Sequence, residues 1–424
     1  MIRRTVFVLF FALVGVPTAD ANAQTIADEY RDVANQIIDA ATGDHDAYAR
    51  LTELTETFGP RVSGSVALER AIDWMLVEME EDGLDNPRGD HVMVPHWVRG
   101  NESLEMILPW PRELPMLGLG GSIATPVGGI LAEVLVVGSF EELTARADEA
   151  GGRIVLYNVP FTSYGQTVRY RSQGAIEAAR VGAAASLVRS VTPYSQQTPH
   201  TGNSAYSDDV PKIPHAAITV EDAELLQRMQ DRGERPELLL KMEARTLPDA
   251  PSRNVMAEIV GSEFPDEVIV FGGHIDSWDV GTGAMDDAGG VVAAWEAIRI
   301  MKELGLQPRR TIRAVGWTSE ENGGPGGPKY AEDHADEYHV LAMESDGGVF
   351  KPSGFGFTGS DEAFAMIQDI ATLLDRTESG TITRGGGGAD IGPLMQTGVP
   401  GMGLSVDGSK YFWYHHTDAD TVDK

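Results

Sequence analysis

The sequence predicts an α/β protein, a sheet with helices on both faces, interrupted by an inserted β-rich unit. Three observations carry this. From Arg253 onward the pattern is strand, loop, helix, strand, repeated. Between about Leu117 and Ala244 the texture changes to short β-rich runs spaced by two helices. Acids and histidines concentrate just after the predicted strands of the later region, where ligands of open α/β sheets gather.

Taken in order, Arg3 and Arg4 precede an apolar run from Thr5 to Val16 that is too short to span a bilayer. Ala21-Asn22-Ala23 follows as a small-x-small cleavage site, so residues 1–23 read as a secretory signal peptide and the product as secreted or periplasmic. Residues 24–116 open the main domain. They hold a helical stretch from Ile26 to Phe58, a turn-rich loop from Gly59 to Ser65, and a helix from Val66 to Asp82. In that helix Ile72, Met75, Leu76 and Met79 recur at helical spacing, and His91 to Leu108 reads as strands.

Residues 117–245 form the insert. Its strands run from Ile130 to Val137, Arg153 to Asn158 and Ala216 to Val220, and its helices from Gly174 to Val181 and Glu221 to Met229. It clusters no histidines with carboxylates, so no chemistry of its own is expected of it. Residues 246–424 complete the main domain, with strands at Glu267 to Phe271, Arg310 to Trp317, His339 to Met343 and Met402 to Val406. Between the first two, Ala288 to Leu304 places Val291, Ala294, Trp295, Ile298 and Met301 on one helix face. Gly385 to Gly388 suggest a mobile loop or a close backbone approach to a ligand.

Composition narrows the function. Sixty-four acidic against 33 basic side chains leave a formal net charge of −31, which disfavours phosphate backbones and anionic lipid surfaces. With no cysteine, disulfides and thiolate metal sites are excluded, and a metal must sit on His, Asp and Glu. Beyond the leader no segment is long and apolar enough to cross a membrane.

Five segments hold such donors: His274 with Asp276, Asp286 with Asp287, Glu320 with Glu321, Glu344 with Asp346, and His415 with His416. Alone, each is an ordinary hydrogen-bonded pair or a solvated face. Together, most of them after strands of one α/β unit, they match what two divalent cations about 3.5–4 Å apart require: several carboxylates, one of them bridging. Two imidazoles and three carboxylates leave room for a water whose pKa falls toward about 7. A further carboxylate must then move its proton to the leaving amine.

The series GGHIDSWDVGTGAMDDAGG, WTSEENG, MESDGG and YHHTDADT resembles the M28 family of zinc aminopeptidases. RGGGGADIGPLMQTGVPGMGL adds support at the level of one branch, whose likeness favours dipeptides with free termini. The likeness runs from about residue 45 to the end and implies the zinc exopeptidase fold, a mixed sheet between helices, with a protease-associated domain as the insert. It implies a dizinc exopeptidase that hydrolyses dipeptides or short peptides through a hydroxide bridging two Zn2+. His274 and Asp346 would hold one zinc, Glu321 and His416 the other, and Asp286 would bridge. Glu320 would be the general base and Asp276 a supporting group behind the metal. Small peptides are the implied partners, without nucleic acid or stable membrane association, and a homodimer is compatible. The resemblance also implies a further strand or helix beyond Lys424.

Spacing leaves rivals open: Asp287 for Asp286, Glu344 for Asp346, His415 for His416, and the order of Glu320 and Glu321. Tyr411, Trp413, Tyr414 and the Gly385–Asp390 loop flank the motifs and are candidates for a specificity pocket, with Arg384 a candidate for a peptide carboxylate. The other histidines (His45, His91, His96, His200, His215, His334 and His339) read as structural or surface residues. Other functions share the scaffold: an aminopeptidase of broader specificity, a zinc cyclotransferase or amidohydrolase, and a non-catalytic binding protein.

Overall fold

The strands of the described residues sort into two eight-stranded sheets. The computed structural model describes residues 25–43 and 45–424, so the signal peptide reading lies outside the described residues. The first sheet comprises β1 (Asp85–Val98), β2 (Arg245–Ile259), β3 (Phe264–His274), β4 (Arg310–Trp317), β5 (Tyr338–Glu344), β6 (Pro352–Thr358), β7 (Thr381–Arg384) and β8 (Gly401–Val406). Their order is β1-β2-β4-β3-β5-β8-β6-β7. The central four, β4, β3, β5 and β8, run parallel, whereas β1–β2, β2–β4 and β6–β8 pair antiparallel. The sheet is therefore mixed, as expected.

Both faces are covered because the strands alternate. Val255, Ala257 and Ile259 of β2 pack with Leu68, Ile72, Met75 and Met79 of the helix Val66–Glu81 and with Trp295 and Ile298 of the helix Gly289–Glu303. Met256, between them in sequence, packs with Tyr330 and Leu394 of the short helices Gly326–Asp333 and Gly392–Gln396. Ser65 caps the helix Val66–Glu81 by accepting from Leu68 N at 3.1 Å, a contact worth about 1 kcal/mol. The helical stretch expected from Ile26 to Phe58 holds two helices, Ile26–Gly43 and Asp46–Phe58. The break falls at Gly43, a residue of poor helix propensity.

The second sheet takes strands from Glu102–Leu108 to Glu237–Met242, so the chain leaves the first sheet earlier than the texture change at Leu117. Nothing compositional marks that crossing. Glu102–Leu108 alternates buried Leu104 and Met106 with more exposed neighbours, as β1 does with Val92 and Val94. Its faces carry the helices Tyr164–Arg180 and Val220–Asp231. The first of these starts well before the expected Gly174, because its early turns lack the alanine-rich signal.

Register positions the site. His274 pairs with Trp317 across β3 and β4, and Gly272 with Glu344 across β3 and β5. The parallel strands thus end together, with His274 closing β3 and the loops carrying Glu320, Glu321 and Asp346 leaving from the same edge.

Candidate metal centre

His274 is the last residue of β3 and is buried. Its Nε2 lies 3.0 Å from Asp286 Oδ1 and 3.7 Å from Asp346 Oδ1. On the other side of Asp286, His416 Nε2 lies 3.1 Å from Oδ2 and 3.0 Å from Glu321 Oε2. Asp286 therefore stands between two imidazoles with one oxygen toward each. The turn that delivers it requires Gly283, which has a φ of +58° and whose Cβ would meet Ser277 Cβ at 2.3 Å.

The rivals are placed differently. Asp287 Oδ2 accepts from His274 N and Oδ1 from Gly290 N, each at 3.1 Å, so both its oxygens serve the backbone. Glu344 accepts from Ala389 N (2.9 Å), Asp390 N (2.9 Å) and Ile391 N (3.0 Å). His415 stacks on His416 with ring centroids 3.5 Å apart and reaches Asp286 Oδ2 at 3.5 Å. Among the described residues, ligand-type atoms fall into two compact groups that share Asp286: one with His274 and Asp346, the other with His415 and His416.

Asp276 ties the two halves of the site. Its carbonyl faces His274 Nδ1 at 3.0 Å, and its carboxylate accepts from Glu320 N (3.0 Å) and Glu321 N (3.2 Å). Glu320 lines a cavity of about 360 Å³ together with Asp286, Glu321, Asp346 and His416. Burial, with repulsion from Glu321, Asp346 and Asp276, pushes its carboxyl up to about 8.

Burial raises the carboxyls of Asp276, Asp287, Glu321 and Asp346. Asp286 goes the other way: burial opposes its charge, but His274 and His416 hold it well below the usual carboxylate range. Burial also opposes charge on His416, yet Glu321 and Asp286 push it up to about 10. Surroundings that draw a proton onto these imidazoles draw a metal cation equally. Two further facts fit a cation. Asp286 Oδ2 and Glu321 Oε1 are buried without a hydrogen-bond donor. The contacts of 3.0–3.7 Å bracket the roughly 3.3 Å edge of a tetrahedron with ~2.0 Å metal–ligand bonds.

The region read as an insert without chemistry of its own also contributes to the walls of this site. Tyr164, Arg171 and Asn203 line the cavity. Thr201 O lies 3.2 Å from His416 Nδ1, and Asn203 Nδ2 donates to the Glu321 carbonyl. The sequence carries no cue to these contacts, since amides and carbonyls brought in by folding belong to no local cluster. Arg61, which donates to the Gly283 carbonyl behind Asp286, lies in a loop whose sequence reads only as a turn. The glycine run is a close approach, but to the protein itself, because a Cβ on Gly388 would lie 2.1 Å from Glu344 Oε1. Tyr411 lines the cavity; Trp413, Tyr414 and Arg384 do not, and Arg384 pairs with Asp361.

Residues 254–424 match the profile of Peptidase family M28. Carboxypeptidase Q of Xenopus laevis is 51% identical, over 94% of this chain and 86% of that protein. The crystal structure of a peptidase M28 precursor from Shewanella amazonensis superposes with a TM-score of 0.90 at 34% identity, covering 93% of this chain and 92% of that one. A zinc aminopeptidase from Bacillus subtilis shares the fold at a TM-score of 0.66 and 20% identity, over 89% of each chain. The chain belongs to peptidase family M28, on its carboxypeptidase Q branch, and so is a zinc metallopeptidase.

Proposed function

We propose that the protein is a secreted or periplasmic exopeptidase that binds two zinc ions and cleaves dipeptides or short peptides. His274 and Asp346 would hold one zinc, His416 and Glu321 the other, and Asp286 would serve both. One observation carries this reading: the two oxygens of Asp286 face different imidazoles at 3.0 and 3.1 Å. Bound zinc supplies an acidified water and polarisation of the scissile carbonyl.

The protein's own residues supply the rest. Asp276 holds His274 by its carbonyl and the Glu320–Glu321 backbone by its carboxylate, which orients donors on both sides of Asp286. Glu320, which lines the cavity beside Asp286, Glu321 and Asp346, takes a proton from water as a carboxylate and returns it to the leaving amine. Stacked Tyr164 and Phe412 form an apolar wall in a cavity that falls within the usual small-ligand range of about 300–1,000 Å³.

The test is dipeptide hydrolysis and zinc content for wild type and Glu320→Gln. We expect full zinc content with a rate at least about 100-fold lower. Unchanged activity would remove Glu320 from its role, and a wild type without zinc would remove the whole reading. Comparing a free dipeptide with its N-acetylated and C-amidated forms assigns the exopeptidase mode.

A further inference from the structure

The insert touches the metal centre on one side. The side chain of His274 is held from the first sheet's half of the chain: Nδ1 by the Asp276 carbonyl, Nε2 near Asp286 and Asp346. His416 is held from the other half. Its carbonyl accepts from Thr201 N at 3.0 Å, and its Nδ1 faces Thr201 O at 3.2 Å. An imidazole that gives Nε2 to a metal keeps its proton on Nδ1, so that proton goes to Thr201 O. Arg171 Nη1 is a donor only, lies 3.3 Å from both atoms, and shares the same carbonyl. Two residues on, Asn203 Nδ2 donates to the Glu321 carbonyl.

This loop is itself locked to both halves. Thr201 Oγ1 donates to Gly118 O at 2.9 Å, and Gly120 N donates to Gly202 O at 3.0 Å. Arg99 spans the junction, reaching Gly118 O on one side and pairing through Nε (2.8 Å) and Nη2 (2.5 Å) with Asp279 on the other. Gly120 lies so close to Trp278 that a Cβ would sit 2.1 Å from its ring, and that ring meets His416 edge-on at 5.6 Å.

Resting on the dizinc reading, we propose that the loop His200–Asn203 is a positioning element for one metal position only, the one made by His416 and Glu321. Asn203 and the Thr201 backbone set that position, while the His274–Asp346 position is independent of the insert. The two zinc ions are then bound with separately tunable affinities.

The test is zinc titration of the metal-stripped full chain against a chromophoric chelator, for wild type, Asn203→Ala and the isosteric Asn203→Asp. Wild type should take up two equivalents. Either variant should bind one of them unchanged and the other at least about 10-fold more weakly, the scale of losing an outer-shell partner. Asp346→Asn should weaken the opposite equivalent, and Asn203→Ala/Asp346→Asn both. Equal weakening of both equivalents by Asn203→Asp, or no change in either, overturns the proposal. A wild type that takes up fewer than two equivalents instead removes the dizinc reading, and this proposal with it.

Discussion

Arg61 Nη2 donates to the carbonyl of Gly283 at 3.0 Å, tying the Gly59–Ser65 loop to the turn that presents Asp286. The same guanidinium donates to Ile275 O (2.8 Å), Thr282 O (2.7 Å) and Gly59 O (3.1 Å). It is fully buried. Burial lowers its pKa to about 10, against the attraction of Asp420, Asp276 and Asp287, so it stays charged at neutral pH.

Replacing Arg61 with Met should therefore cost about 3 kcal/mol or more, since buried carbonyls lose their donor and nearby acids their cation. Urea unfolding of the zinc-loaded variant checks the size. A change under 1 kcal/mol would mean that the loop is held by other contacts.

Gly388→Ala should destabilise by about 1–3 kcal/mol through overpacking against the Glu344 carboxylate. Its zinc content should stay at the wild-type level, because Glu344 serves backbone amides rather than the metal side of the cluster. Loss of zinc in that variant would return Glu344 to the ligand set.

Away from the site, burial works against ionisation of Glu337, but His334 at 3.0 Å and Arg313 at 2.6 Å hold its carboxyl down at about 2. A folded value below the unfolded one, about 4.3, gives stability that is present above the unfolded value. It is lost as pH falls toward 2. Glu337→Gln should then cost about 1–3 kcal/mol at pH 7 and clearly less at pH 3, as read by urea unfolding. A gap that is constant or wider at pH 3 would contradict the pairing.

Chelation should lower the melting temperature, and added zinc should restore it. Asp276, Asp286, Asp287, Glu321 and Asp346 crowd one region, and a ligand at about 1,000 times its Kd contributes about 4 kcal/mol to the native state. A melting temperature indifferent to chelator would separate zinc from fold stability.

The sequence by itself determined the α/β class, the main strands, and the five short segments that meet around Asp286. These signals are local: strand periodicity, and donors placed just past strand ends. That Asp286 rather than Asp287, and Asp346 rather than Glu344, faces the cavity was decided by tertiary structure. Asp287 turns to the amides of His274 and Gly290, and Glu344 to the Ala389–Ile391 amides, partners that exist only once distant backbone has arrived. The same holds for Arg61, Thr201 and Asn203. Their contacts with the site run between residues far apart in the chain, and a backbone carbonyl, available at every position, leaves no mark in a sequence until folding chooses its donor.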